Sequence, residues 1–369
     1  MSVQVSYPKQ FTLGIFLLLI LFASVEGFSR VYEIFNPDCT FLEKDAFEKV
    51  DYFTTRIICQ DLNTTLYETF SGITIVSSNQ HKDTLNINSH GFRGPDITKE
   101  KPDDTYRIFL IGGSTMYGYG STSDNTTIAG YLQQNFQNIT LEMDVQIINA
   151  GIPAADSYSE SLYIKNKLVD FEPDLFIVYD GWNDLDHDII ELSTVDENKI
   201  IQEDSDEFKF KNFPFYRTPF VIWKILYATP AHWDNYLIDE SKTEKKIDLW
   251  IERWDNICTL GKMNNYDTIV TVQPMLGTGN KILSPDEITL APYLDEHFGI
   301  IKGLQKMESN LNQLNENCVK TQSLINIFDG ISEPIFYDIG HTNDFGNKII
   351  AQKLFELSLP IITDKIIKN

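Results

Sequence analysis

Ser114, Asp338 and His341 are the residues on which a reaction could turn. Ser114 closes the stretch "RIFLIGGS", in which an apolar run ends at Gly112 and Gly113. A serine at such a turn, beside the free N–H groups of a starting helix, has the setting of a nucleophile that generates an oxyanion. Serine catalysis also needs a base and a group that orients it. The chain has six histidines, and His341 stands apart, three residues after Asp338 in "FYDIGHTNDFG". At that spacing a carboxylate reaches Nδ1–H, fixes the tautomer and leaves Nε2 to take the serine proton. Taken singly, each residue has an ordinary reading, Ser114 as a helix cap and His341 as a loop histidine beside an acid.

Two further loops bring proton donors. Gly151 follows "VQIINA" and Asn183 lies in "YDGWNDL". With the Ser114 N–H they offer three donors for one developing oxyanion, although each also suits an ordinary turn. Trp182, beside Asn183, and Gln273, in "QPMLGTGNKILS", are the candidate substrate contacts. Two other chemistries lack their residues. No lysine follows Gly118 or Gly120 to make a phosphate-binding loop. Met116 stands where a GxSxG elbow needs glycine.

Elements must bring these residues together. "YRIFLI" (106–111), "VQIINA" (145–150), "DLFIVY" (174–179), "TIVTVQP" (268–274) and "SLINIFD" (323–329) read as strands. Their apolar runs suit a sheet covered on both faces. Helical spacing at 126–136, 157–169, about 241–264 and about 345–358 alternates with them, which predicts parallel βαβ units. Ser157-x-x-Glu160 and Ser241-x-x-Glu244 read as capping boxes, and Asp344 as a cap of the last helix. Ile247, Trp250, Trp254, Ile257 and Cys258 share a helix face; Leu294, Phe298, Ile301, Leu304, Leu311 and Leu314 mark another helix. The candidate residues fall at or after the carboxyl ends of strands, where open α/β sheets bind ligands.

The GGST turn with Ser114, Gly151, Asn183 in Gly-Trp-Asn-Asp, and Asp338-x-x-His341 follow the order of four blocks of the SGNH (GDSL-like) hydrolase superfamily. The chain resembles that family over about residues 88 to 358. The resemblance implies a three-layer α/β/α, flavodoxin-like domain and a serine esterase or acyltransferase activity. Ser114 would be nucleophile, His341 base, Asp338 its orienter, and Ser114, Gly151 and Asn183 the oxyanion donors. Such chemistry needs no metal and no organic cofactor. The expected reaction cleaves O-acetyl or short acyl esters through an acyl-serine, on an acylated glycan or a lipid ester. An O-acyltransferase on an extracellular polysaccharide would use the same residues. A catalytically silent glycan-binding module and a membrane-tied phospholipid or lysophospholipid hydrolase are the other readings. One departure stands out, Gly113 where the family pattern has Asp. "NSHGFRGPD" (88–96) resembles a segment found before the first strand of exported or membrane-linked members. Arg93 within it is expected to hold loop carbonyls or an acid.

The 369 residues carry 53 acids against 30 bases, a net charge of −23. That balance disfavours nucleic acid and anionic membrane surfaces as partners. At the N-terminus Lys9 precedes an uncharged run, Phe11 to Val25, that Glu26 ends. Fifteen residues fall short of the ~20 that span a bilayer, and Ala23, Ser24 and Gly27 supply the small residues of a cleavage site. Residues 1–27 therefore read as a signal peptide or a membrane anchor, the signal slightly favoured. Either one puts the rest of the chain outside the cytoplasm. Cys39, Cys59, Cys258 and Cys318 form no CxxC pair, which argues against zinc. Pairing within each region, Cys39–Cys59 and Cys258–Cys318, is favoured over the other pairings, with free buried thiols as the alternative. The domain plan is an extension over 28–90, a hydrolase-like domain over 91–360, and a helical cap inserted at 184–264. Phe213, Phe215, Tyr216, Phe220 and Trp223 in that insertion would line a cleft or pack beneath the cap.

Overall fold

The computed structural model describes residues 6–35, 39, 41, 44–186, 217–227, 240–290 and 298–368. The first helix, α1 (Tyr7–Phe35), belongs to a small unit of its own. The larger unit, Cys39–Gln202 with Trp233–Asn369, carries the candidate site. It opens with α2 (Tyr52–Asn63), the hairpin of β1 (Tyr67–Phe70) and β2 (Ile73–Val76), and the pair β3 (Gln80–His81) and β4 (Asn86–Ile87). Next come β5 (Thr105–Gly112), α3 (Ser114–Tyr117), α4 (Ile128–Gln137), β6 (Asp144–Asn149), α5 (Ser157–Asn166), β7 (Leu175–Asp180) and α6 (Trp182–Asp186). After α7 (Thr218–Tyr227), of the small unit, follow α8 (Glu240–Asn264), β8 (Asp267–Val272), α9 (Pro285–Thr289), α10 (Phe298–Asn310), β9 (Lys320–Ser323) and α11 (Asp344–Lys368).

The five-stranded sheet has the order β6-β5-β7-β8-β9, with every pairing parallel. Counted along the chain this is the order 2-1-3-4-5 of flavodoxin-like folds. Strand side chains alternate between two cores. Phe109, Ile111, Phe176, Val178, Val270 and Val272 pack with α5, α8 and α10. Ile108, Leu110, Leu175, Ile177 and Ile269 pack with α4 and α11 on the other face. Helices on both faces bury the central strands completely, so Ile108–Ile111 of β5 and Leu175–Tyr179 of β7 run apolar without a polar alternate. The result is the expected α/β/α sandwich.

The helices differ from the sequence reading mainly at their ends. Asp156, not Ser157, caps α5, its carboxylate accepting from Ser159 N at 2.8 Å. Glu160 is buried with neither oxygen hydrogen-bonded, so no capping box forms there. The helix α8 already includes Glu240, one residue before the expected cap Ser241. Its apolar face, Ile247 to Cys258, is buried as expected. On α10 Ile301 and Leu304 are buried but Phe298 is exposed, and Leu294 lies outside the described residues. The fifth strand ends where the sequence reading began it: β9 stops at Ser323, and 324–329 turn away through an Ile327 N to Leu324 O bond. The last helix runs on to Lys368, through Pro360.

Residues 39–90 pack into the larger unit. Phe41, Phe47, Ile58 and Leu62 form a third core with Val76, Ile87, Tyr117 and Tyr337. Disulfides join Cys39 to Cys59 and Cys258 to Cys318. The first ties down the start of this segment, and the second ties α8 to the approach to β9. Of the insertion's aromatics, Phe220 and Trp223 fall on α7, while Phe213, Phe215 and Tyr216 lie outside the described residues.

Candidate active site

The chain order of strands puts β5 between β6 and β7, and the connections from β5 and β7 leave in opposite senses. A crevice opens at such a point beyond the carboxyl ends of the strands. Ser114 follows β5 and Asn183 follows β7, so both stand at that crevice.

Ser114 is the first residue of α3. Its Oγ lies 2.6 Å from His341 Nε2. On the far side of the ring, Nδ1 lies 2.7 Å from Asp338 Oδ2. A carboxylate can only accept, so Nδ1 carries the proton and Nε2 is the acceptor facing the serine. The other Asp338 oxygen accepts from the backbone N–H groups of Gly340 at 2.9 Å and His341 at 2.7 Å. The turn thus clamps its own carboxylate and aims it at the imidazole. Burial alone would push His341 toward the neutral form, but the charge and hydrogen bond of Asp338 outweigh it and hold the pKa above the ordinary 6.5. Burial likewise works against ionised Asp338. His341 and the two backbone donors overcome it, and the carboxyl stays below its usual range.

Packing fixes the imidazole. Tyr337 stacks on it nearly parallel, at 10° and 5.7 Å between centroids, and Tyr119 lies 5.4 Å away. The Tyr337 hydroxyl donates to Tyr119 O at 2.8 Å, which joins the two tyrosines. Phe41 and Phe47 meet Tyr337 edge-on, so the segment 39–90 braces the histidine loop from outside. A buried carboxylate supports the same loop from within. Glu287 accepts from Ile335 N at 3.1 Å and Phe336 N at 2.9 Å, pairs with Lys281 at 2.6 Å, and takes Ser284 N at 2.8 Å. Ser284-x-x-Glu287 is a capping box legible in the sequence, but its reach to residues 335 and 336 is not.

The nucleophile turn is held by Arg93. Its buried guanidinium donates to Tyr117 O, Gly118 O and Thr84 O and pairs with Asp124 at 2.8 Å. Holding loop carbonyls and an acid is what the sequence suggested for it.

The three oxyanion candidates gather around α3 on different terms. The Ser114 N–H belongs to the first turn of α3, which has no partner inside the helix. Asn183 reaches under the turn, and its Nδ2 donates to Ala155 O at 2.6 Å, leaving a second N–H on the same nitrogen. A Cβ at position 113 would lie 2.5 Å from that nitrogen, so Gly113 is the residue that lets the amide in. Gly151 N donates to Asn149 Oδ1 at 3.1 Å. Its Cα faces α3 so closely that a Cβ would stand 2.3 Å from Tyr117 N. Beneath Asn183, Asp184 accepts from Ser157 N at 3.0 Å and from the Ser157 hydroxyl, and Asp180 accepts from Trp250 Nε1 at 3.0 Å. Burial pushes both Asp180 and Asp184 above the usual carboxyl range. These bonds fix α6 at both ends of the Gly181–Asn183 turn.

Of the candidate substrate contacts, the Trp182 ring packs against the backbone of Gly340, beside His341. Gln273 is buried at the end of β8, its N–H given to Asp180 O at 2.9 Å. The following segment touches the histidine loop directly, through Leu276 N to Ile339 O at 2.9 Å. Among the described residues no group of histidine, cysteine and carboxylate side chains is arranged to hold a metal ion.

No family model matches the chain, and no curated protein matches it. Among solved structures it is similar to a G-D-S-L family protein from Desulfitobacterium hafniense DCB-2, at 10% identity and a TM-score of 0.39, over 68% of this chain and 98% of that one. It is similar to Axe2, an acetylxylan esterase from Geobacillus stearothermophilus, at 11% and 0.37, over 68% and 93%. A two-domain esterase active on acetylated mannans aligns at 13% and 0.37, over 71% of this chain and 49% of that one.

Proposed function

We propose that the protein is a serine-dependent esterase that cleaves carboxylic esters, O-acetyl or short acyl, through an acyl-serine. The observation that carries this reading is the unbroken relay from Ser114 Oγ to His341 to Asp338, at 2.6 and 2.7 Å. Nucleophile and base within hydrogen-bond reach, with the base oriented by a third group, is the arrangement that nucleophilic catalysis requires.

In the first step His341 Nε2 takes the Ser114 hydroxyl proton as Oγ bonds to the ester carbonyl carbon. The carbonyl oxygen becomes an oxyanion. The Ser114 N–H and the remaining Asn183 N–H stabilise it, and the Gly151 N–H joins them by sharing its bond to Asn149. Asp338 stabilises the imidazolium without taking its proton. The ester C–O bond then breaks, His341 returns the proton to the leaving alcohol, and the acyl group stays on Ser114. In the second step water attacks the acyl carbon and gives its proton to His341. Collapse releases the carboxylic acid and restores the serine hydroxyl. The leaving alcohol is a hydroxyl of a glycan or of a lipid. The base works only as the neutral imidazole, so its raised pKa sets the acid limb of the pH profile.

Hydrolysis of p-nitrophenyl acetate by the intact chain tests the reading. Activity that disappears in His341→Ala is the expected result. Equal rates in the two proteins, each checked for folding by circular dichroism, would remove the reading.

A further inference from the structure

The small unit pairs α1 with α7. Along α1, every residue from Ile15 to Phe22 is exposed, and all eight are apolar. Eight consecutive residues make more than two turns, so the apolar surface runs all the way around and is not a stripe. A protein groove covers a stripe, whereas a bilayer covers a whole cylinder. From Tyr7 to Val25, ahead of Glu26, α1 rises ~28 Å, close to the ~30 Å hydrocarbon core. Lys9 is its only charge before Glu26.

Where the apolar run stops, polar groups fasten α7. The Glu26 carboxylate accepts from Arg217 N at 2.9 Å, Thr218 N at 3.1 Å and the Thr218 hydroxyl at 2.9 Å. It therefore caps the start of α7. Ser29, buried, donates to Thr218 Oγ1 at 3.2 Å. The Arg217 guanidinium pairs with Glu33 through Nη2 at 2.6 Å and Nε at 3.0 Å. The sequence of α7, TPFVIWKILY, carries one charge in its ten residues. Ile222, Ile225 and Leu226 are exposed at helical spacing, while Val221 is buried. Cleavage near Ala23 to Gly27 would cut α1 in mid-helix, at or beside the residue that caps α7.

We propose that α1 is retained as a membrane anchor and that α7 sits in the same bilayer beside it, so that the partner of this surface is lipid. Ten residues span only ~15 Å, too short to cross, so α7 lies in one leaflet with Ile222, Ile225 and Leu226 toward the acyl chains. The Glu26 cap and the Arg217–Glu33 pair hold it there, at the end of the apolar run where charged groups meet the headgroups.

The test uses the full chain, expressed in a host that exports it and purified from membranes. Intact mass shows whether residues before Glu26 are kept. The protein is then placed in phosphatidylcholine vesicles containing a photoactivatable phosphatidylcholine, and cross-links are mapped by mass spectrometry. Retention of the N-terminus, with lipid cross-links in both 7–25 and 218–227, is expected. Arg217→Glu should lower cross-linking at 218–227 several-fold and leave 7–25 unchanged, and adding Glu33→Arg should restore it. Far-ultraviolet circular dichroism and both disulfides verify folding of each variant. A mature chain starting after Gly27, cross-links confined to 7–25, or an Arg217→Glu variant labelled like the parent would each overturn the proposal.

Discussion

Replacing Asp338 by Asn isolates what the carboxylate does for the imidazole. In the native turn one oxygen accepts two backbone N–H groups and the other faces His341 Nδ1 at 2.7 Å. Asn is nearly isosteric. Its carbonyl oxygen is needed by the two backbone donors, which leaves the NH2 group against Nδ1. That nitrogen must then accept, so the ring proton moves to Nε2, the atom that should take the Ser114 proton at 2.6 Å. The fold keeps its bonds while the base is in the wrong tautomer. A loss of about 10⁴ in kcat is expected, the size known for the same change in a well-studied serine protease triad, and it corresponds to ~5 kcal/mol of barrier. A second effect follows from charge. With Asp338 ionised, the His341 pKa is held above 6.5, so wild-type kcat/KM should rise with pH through a value above 6.5. Without the carboxylate, burial prevails, and the acid limb of the residual activity should move to lower pH. Initial rates on p-nitrophenyl acetate from about pH 5 to 9 measure both quantities. A melting temperature close to wild type would show that the fold is intact. A loss under about tenfold, or an acid limb that does not move, would refute the tautomer argument.

Four other changes probe the surroundings of the relay. Asn183→Ala should lower kcat by about 10² to 10³ with little change in melting temperature, as loss of one oxyanion donor does. Gly113→Ala puts a Cβ where the Asn183 amide now lies, 2.5 Å away, and kinetics should show a fall in kcat without unfolding. Glu287→Ala leaves Lys281 buried without its partner and frees two backbone donors of the histidine loop; urea unfolding should show a loss of about 3–5 kcal/mol. Replacing Cys258 and Cys318 together by Ser opens a closure of 60 residues and should cost about 4 kcal/mol in the same assay.

Much of this architecture could be read from the residues alone. The uninterrupted apolar runs Ile108–Ile111 of β5 and Leu175–Tyr179 of β7 announce a doubly covered sheet because no alternate position faces water. Ser114, Asp338 and His341 were legible because a strand end and a three-residue spacing are local signals. What supports them was not. Glu287 lies 48 residues from the N–H group it holds at Ile335, and only the folded chain brings them together. Tyr119 and Tyr337 look like any aromatic residues until they are found against the imidazole. Gly113 looks like a turn glycine until the Asn183 side chain, 70 positions on, is found against it. The misplaced strand at 323–329 has a similar origin. Leu324 and Ile325 are buried, but as part of a turn beneath the loop at 275–278, and apolar content alone does not separate the two. Helix starts were misjudged where two capping residues compete, as Asp156 does with Ser157.

Treatment of the folded chain with a fluorophosphonate, followed by peptide mass mapping, asks the central question most directly. A single phosphonyl adduct on Ser114, lost in Ser114→Ala and much slower to form in His341→Ala, is the predicted result. Labelling that is equal in wild type and Ser114→Ala, or an adduct mapped to another residue, would contradict the assignment of Ser114 as the nucleophile.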